Sequence, residues 1–271
     1  MGQPMSAKAS PEAPSSYQLP PPRRVPFDAP WIWLAAGWRD MWRIPSISVT
    51  YGLVFAVLAM GIVGGLSLVG ALAVLPALGG GLILLGPFVA VGLYEASHQL
   101  ARGGRPTGVG VLRAGLRASG QLALFGSFLL FAFMIWMQMA LLLLMLFFAD
   151  NAVPTPQALM QTLLFTPRGL SLLITGTIVG AAIAVAVFAF SAVAIPMLLD
   201  RPVDAVTAAR ASMMAVVENP RPMALWAVLI AGLSALGLST LLVGFVFVFP
   251  LIGHATWHAY QAIYGDDASA K

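Results

Sequence analysis

His254 and His258 stand four residues apart in one apolar run, and Glu95 and His98 stand three apart in another. Either spacing puts both side chains on one face of a helix. Two imidazoles at i and i+4 can hold a metal or ligate a haem. Ionisable groups near hydrocarbon can also carry a proton or line the path of a substrate. Zinc asks for a third or fourth ligand, which Glu95 or His98 supplies if their helices touch. The reading these groups suit first is the headgroup boundary, where histidine bonds to backbone, glutamate or water. Glu95, His98, His254 and His258 therefore form the candidate polar cluster. His254 and His258 are the metal candidates within it, and no cofactor is expected.

Other chemistries lack their residues. The chain has no cysteine, which removes disulfides, thiolate metal sites and cysteine nucleophiles. Its only lysines are Lys8 and Lys271, and neither lies in a glycine-rich phosphate loop. Gly108-Val109-Gly110 is too short for a dinucleotide fingerprint, and no Gly-x-Ser-x-Gly or His-Glu-x-x-His occurs. No catalytic residue is expected, and the chain is not expected to be an enzyme.

The elements that must position the cluster are written in the composition. Of 271 residues, 59% are apolar and 9% charged, with a mean hydropathy of +0.89. A soluble domain carries about 25% charged residues, so this chain cannot coat a water-exposed globule. Four stretches carry no charge at all: 46–94, 118–149, 169–199 and 222–265. A spanning helix needs about 20 apolar residues. The first and last stretches, of 49 and 44 residues, are too long for one span. Pro76 with Gly79-Gly80-Gly81 divides the first, and Gly244 with Pro250 brackets a turn in the last. The expectation is an all-α bundle of six spans at about 47–74, 80–98, 120–148, 169–199, 222–242 and 246–264.

Thirteen of the fourteen Lys and Arg residues fall on one side of this scheme, and Arg168 alone falls on the other. Cytoplasmic loops collect Lys and Arg, so both termini are expected in the cytoplasm. The net charge of +4 is explained by topology, and no nucleic-acid partner is expected. Residues 1–30 include eight prolines and no apolar signal core, and are expected as a disordered cytoplasmic tail, with 266–271 as a second tail. The membrane domain is then 31–265.

Short amphipathic cytoplasmic helices are expected at 31–44, 106–119 and 202–218, each followed by a hairpin of two spans. In the first, Trp31, Trp38 and Trp42 share a face suited to the headgroup plane, with Arg39, Asp40 and Arg43 on the polar side. Pro87, Pro196 and Pro250 read as kinks within spans. Gln138, deep in the third span, is expected to bond to a neighbouring helix. Gly61-xxx-Gly65 and Gly176-xxx-Gly180 are expected to let helices of this chain pack closely. The outward loop 150–168, with Asp150, Asn151, Pro154 and Pro156, is expected to hold a short interfacial helix over Gln157–Phe165.

Several local runs resemble a known family. They are Asp204-Ala205-Val206-Thr207-Ala208, then Ser212, Asn219-Pro220, Met223 and Trp226, leading into Gly253-His254-Ala255-Thr256-Trp257-His258-Ala259-Tyr260. The tryptophan-rich start and the segment from Gly86-Pro87-Phe88 to Tyr94-Glu95 share the likeness. Over residues 30–264 the chain resembles the bacterial integral-membrane family called domain of unknown function 2189 (DUF2189). That family has no established activity, so the resemblance implies a fold and a bacterial inner-membrane location and says nothing of mechanism.

The functional expectation is a non-enzymatic multi-pass protein, an accessory or assembly partner of other membrane machinery, in contact with the lipid bilayer. A small-solute or ion transporter or channel is the alternative. A haem- or metal-binding respiratory-associated protein is the third.

Overall fold

Proline marks where several helices begin. Pro30, Pro45, Pro167 and Pro220 each occupy the first turn of a helix, where the missing N–H leaves no bond unmade. Two polar caps add to these. The Thr166 hydroxyl accepts from Gly169 N–H at 3.1 Å, and the Asp204 carboxylate accepts from Thr207 N–H at 2.9 Å. The Thr207 hydroxyl and N–H also hold the Asp204 carboxyl below its ordinary range.

The computed structural model describes residues 19–116, 120–148 and 156–265. Residues 1–18 of the expected tail, Arg117, the loop residues Asp150, Asn151 and Pro154, and the C-terminal tail 266–271 lie outside them. The described residues form twelve α-helices and no strand. They are α1 (Ala29–Arg43), α2 (Pro45–Leu68), α3 (Leu75–Val89), α4 (Val91–Ala101), α5 (Gly108–Leu116), α6 (Gly120–Phe148), α7 (Pro156–Phe165), α8 (Pro167–Ser191), α9 (Ala194–Asp200), α10 (Ala205–Glu218), α11 (Pro220–Ser239) and α12 (Phe245–Tyr264). A 3-10 turn, Leu72–Val74, links α2 to α3. The helix expected over Gln157–Phe165 is α7, and the short helices expected before the hairpins are α1, α5 and α10.

Five helical stretches are long and apolar enough to cross a membrane: Pro45–Leu68, Leu72–Ala101, Gly120–Phe148, Pro167–Asp200 and Pro220–Ser239. The chain is an integral membrane protein with multiple spanning helices. The sixth expected span, 246–264, is helical as α12 but is not among the five. His254, Thr256, His258 and Gln261 dilute its apolar character. Two of the five stretches are broken. Ala90 separates α3 from α4 just beyond Pro87, and Ala192–Val193 separate α8 from α9 just before Pro196, whose ring crowds the carbonyl four residues back. Pro250 lies inside α12 without dividing it.

The main core sits at one end of the bundle with α12 at its centre. Trp226, Trp257, Tyr260, Leu93, Ile195, Met197 and Met223 are fully enclosed there. Phe55 stacks on Phe249 at 4.1 Å, and Trp33 meets Trp226 edge-on at 5.8 Å. A smaller apolar cluster, Leu143, Phe148, Leu163 and Leu172, lies at the other end, with Ala73 packed against it.

Residues 19–28, the last part of the segment expected as a free tail, are tied to the main core. Arg23 N–H donates to Ile263 O at 3.0 Å, and Val25 N–H donates to the Asn219 side-chain oxygen at 2.9 Å. Two packing expectations also differ from the structure. Gly61, Gly65 and Gly176 have no other described residue within 4 Å of where a Cβ would stand; of that set only Gly180 is packed, against Trp136. Gln138 is exposed on α6, and the neighbouring Trp136 indole makes the inter-helix bond instead, to Ala77 O at 2.6 Å.

Candidate functional site

The inward face of α1 is Trp33, Ala36, Gly37, Asp40 and Met41, at i, i+3, i+4, i+7 and i+8. Asp40 therefore does not join Arg39 and Arg43 on the polar side, as the sequence suggested. It is carried into the core because it lies on the stripe that packs against α12. Trp31, Trp38 and Trp42 are exposed together on the other face, as their spacing implied.

Around Asp40 the structure assembles a continuous polar chain from four helices. The Ser48 hydroxyl of α2 lies 2.9 Å from His254 Nε2, and His254 Nδ1 lies 2.8 Å from the Ser97 hydroxyl of α4. Ser97 donates to Asp40 Oδ2 at 2.9 Å, and His258 Nε2 lies 2.8 Å from the same oxygen. Arg43 stands 3.6 Å from Asp40 Oδ1. Ser48, Ser97 and His254 are fully buried.

The donors in this chain have one consistent direction. Ser97 spends its proton on Asp40, so its oxygen accepts from His254 Nδ1–H. His254 Nε2 then accepts from the Ser48 hydroxyl. Every proton points toward the Asp40 carboxylate, which is what a buried anion requires. Burial alone would raise the Asp40 carboxyl; the bonds from His258 and Ser97 outweigh it and hold the group below its ordinary range.

A second group lies against α12 around Trp257, Tyr260 and Tyr264. His98 Nδ1 is 3.5 Å from Glu95 Oε2, and His98 Nε2 is 3.3 Å from Asp200 Oδ1. The His98 ring lies over Trp257 with centroids 4.8 Å apart. Asp200 also accepts from the Tyr260 hydroxyl at 2.7 Å, and Arg201 Nε donates to that hydroxyl at 3.1 Å. The Arg201 guanidinium reaches the Tyr264 carbonyl, and the Tyr264 hydroxyl donates to Ala211 O at 2.9 Å. This group locks α9 and α10 to α12.

The four residues singled out by sequence thus fall in two groups. Glu95 and His98 meet each other. His254 and His258 share the Asp40 chain but use different partners, serine hydroxyls for one and the carboxylate for the other. Among the described residues no three His, Cys, Asp or Glu side chains converge as a metal ion would need. Asp40, Ser48, Ser97, Asp200, Arg201 and Tyr260 belong to the site and were not marked by sequence spacing. Asp40 had a readable signal, its place seven residues after Trp33 on the α1 stripe. The serines had none.

Residues 74–200 match the model of a family described as predicted integral membrane protein (DUF2189). The matched region holds the Gly86–Glu95 segment, His98 and Asp200; α1 and the Gly253–Tyr260 run lie outside it. No curated protein and no solved structure matches the chain.

Proposed function

We propose that this chain is a non-enzymatic component of the bacterial inner membrane, with both termini in the cytoplasm, acting as an accessory or assembly partner of other membrane machinery. The observation that carries the reading is the contrast between its two ends. The end bearing Asp40, His254 and Arg201 is closed, with Asp40, Ser48, Ser97, His254 and His258 linked to one another. Away from it, α2 and α6 are thinly covered: only 17% of an 18-residue apolar window in each is buried inside the chain.

In hydrocarbon, helices gain little from apolar contact alone. Close packing over small residues and hydrogen bonds between polar side chains hold them together. The outer half of α2 presents Gly61, Gly64 and Gly65 with no other described residue against them, and α6 presents Gln138. Both features suit a helix from another membrane protein. The orientation rests on arginine placement. Arg39, Arg43, Arg102, Arg105, Arg113, Arg201, Arg210 and Arg221 lie at the closed end or in the segments joining helices there, and Arg168 lies at the start of α8 at the other end.

Native mass spectrometry of the chain extracted with its surrounding lipid is expected to show a stoichiometric complex with another membrane protein. Gly65→Ile and Gln138→Leu together are expected to dissociate it without moving the melting temperature, because Gly65 meets no other described residue and Gln138 is exposed. A purely monomeric chain would overturn the reading. The transporter alternative is favoured by the linked Ser48–His254–Ser97–Asp40–His258 chain. It would take over if proteoliposomes showed solute or ion flux that His254→Ala abolished in a folded protein.

A further inference from the structure

We infer that α11 and α12 form a re-entrant hairpin, which enters the bilayer from the closed end, turns inside the hydrocarbon and leaves on the same side, with its tip among lipid acyl chains. The inference goes beyond the proposed role and does not depend on which protein, if any, binds the chain.

Depth is the first support. Three contacts set the register of α12 against α2. Ser48 meets His254, a Cβ on Gly52 would meet the Val246 carbonyl, and Phe55 packs on Phe245 and Phe249. The two helices are therefore antiparallel, and the tip of the hairpin, just before Phe245, is level with the part of α2 around Phe55. The 13 residues of α2 from Ala56 to Leu68 continue past that level. At 1.5 Å per residue they extend about 20 Å further. The length of α11 does not close this gap, because its first turns are spent at the closed end. Asn219 is bonded to the Arg23 carbonyl and Val25 N–H, and Met223 and Trp226 are buried beside Trp33. The apolar cluster at the far end, built by α6, α7, α8 and the 3-10 turn, contains no residue of 220–264 among the described residues.

The turn itself is the second support. Its sequence is Ser239-Thr240-Leu241-Leu242-Val243-Gly244, without a charge. Leu241 is 82% exposed, and Leu236, Val243 and Phe247 are exposed beside it. A turn in water favours Gly, Asn, Asp or Ser. Here two leucines take up left-handed backbone, at φ 53° and 72°. Irregular backbone inside hydrocarbon must satisfy its own polar groups. Every N–H from Thr240 to Val248 donates within the hairpin, at 2.8–3.3 Å. The Ser239 and Thr240 hydroxyls donate back to the carbonyls of Leu236 and Gly237 at 2.9 Å. An exposed apolar surface over a turn whose N–H groups are all bonded suits lipid tails.

The absence of cysteine makes the test direct. The full chain carrying Leu241→Cys is labelled with a nitroxide in phospholipid bilayers, and its relaxation is measured with oxygen and with a water-soluble nickel chelate. Leu68→Cys at the end of α2 and Val217→Cys on α10 serve as references for the two surfaces. The hairpin predicts the highest oxygen-to-nickel ratio at Leu241, several-fold above both references. A nickel accessibility at Leu241 equal to that at Leu68 would mean a full crossing and would overturn the inference. If Leu241→Cys does not fold, Val243→Cys gives the same reading.

Discussion

Asp40→Ala is expected to lower the stability of the purified protein by about 3–5 kcal/mol, the cost of removing one member of a buried charged cluster. The carboxylate is 5% exposed and is the common acceptor for Ser97 and His258, with Arg43 beside it. Its loss leaves the Ser97 hydroxyl and a His258 N–H without their partner and removes the terminus toward which the Ser48–His254–Ser97 chain is directed. Four helices are tied at this point, so the loss is expected as one cooperative shift in thermal unfolding, read by tryptophan fluorescence. Asp40→Asn keeps an acceptor for Ser97 but gives up the charge, and is expected to fall between wild type and alanine. A melting curve for Asp40→Ala within error of wild type would refute the cluster's structural role.

The same carboxylate gives a pH dependence with a fixed sign. Its value in the folded protein is held below the ordinary 3.8. The folded state therefore binds the proton less readily than the unfolded one. Its contribution is fully present above the unfolded value and drains away as pH falls through the folded one. The wild-type loss of stability in acid should exceed that of Asp40→Asn, which has no such group to titrate.

Gly52→Val is expected to match or exceed the upper end of the roughly 1–3 kcal/mol typical of overpacking. A Cβ at this position would overlap the Val246 carbonyl oxygen. The obstacle is backbone and cannot rotate aside, so α2 and α12 must separate. Separation there pulls apart Ser48 and His254 and the Phe55–Phe249 stack. Gly61→Val on the same helix is the control, since no other described residue is within 4 Å. Equal melting temperatures for the two variants would show that the close approach of α2 to α12 is not what holds this end together.

Helix content and membrane location were legible because they rest on composition and run length, which tertiary contacts do not alter. The last residues of α7 and α10 fell where the sequence put them, but the starts of α1, α7 and α10 and the end of α1 differ by one to three residues, and the Asp204 cap of α10 was not foreseen. The depth of α12 was not legible either. Its first half, Phe245–Ile252, is as apolar as any span, and sequence cannot tell a helix that crosses lipid from one that stops against Phe55. The candidate site was half legible. Histidines and glutamate stand out in an apolar run, but Ser48 and Ser97 look like the many small hydroxyls that merely bond their own helix. Asp40 sat between Arg39 and Arg43, where local charge pattern argued for solvent. Only the packing of α1 on α12 shows that a salt-bridged aspartate belongs to the core. Gly61-xxx-Gly65 shows the converse: the small-residue pattern is present, and no helix among the described residues packs on it.

The account turns on the closed, arginine-bearing end facing the cytosol. Paired reporter fusions after Lys271 test this most directly. A fluorescent protein there is predicted to fluoresce and alkaline phosphatase to be inactive. An active phosphatase with a dark fluorescent protein would place that end in the periplasm and contradict the account.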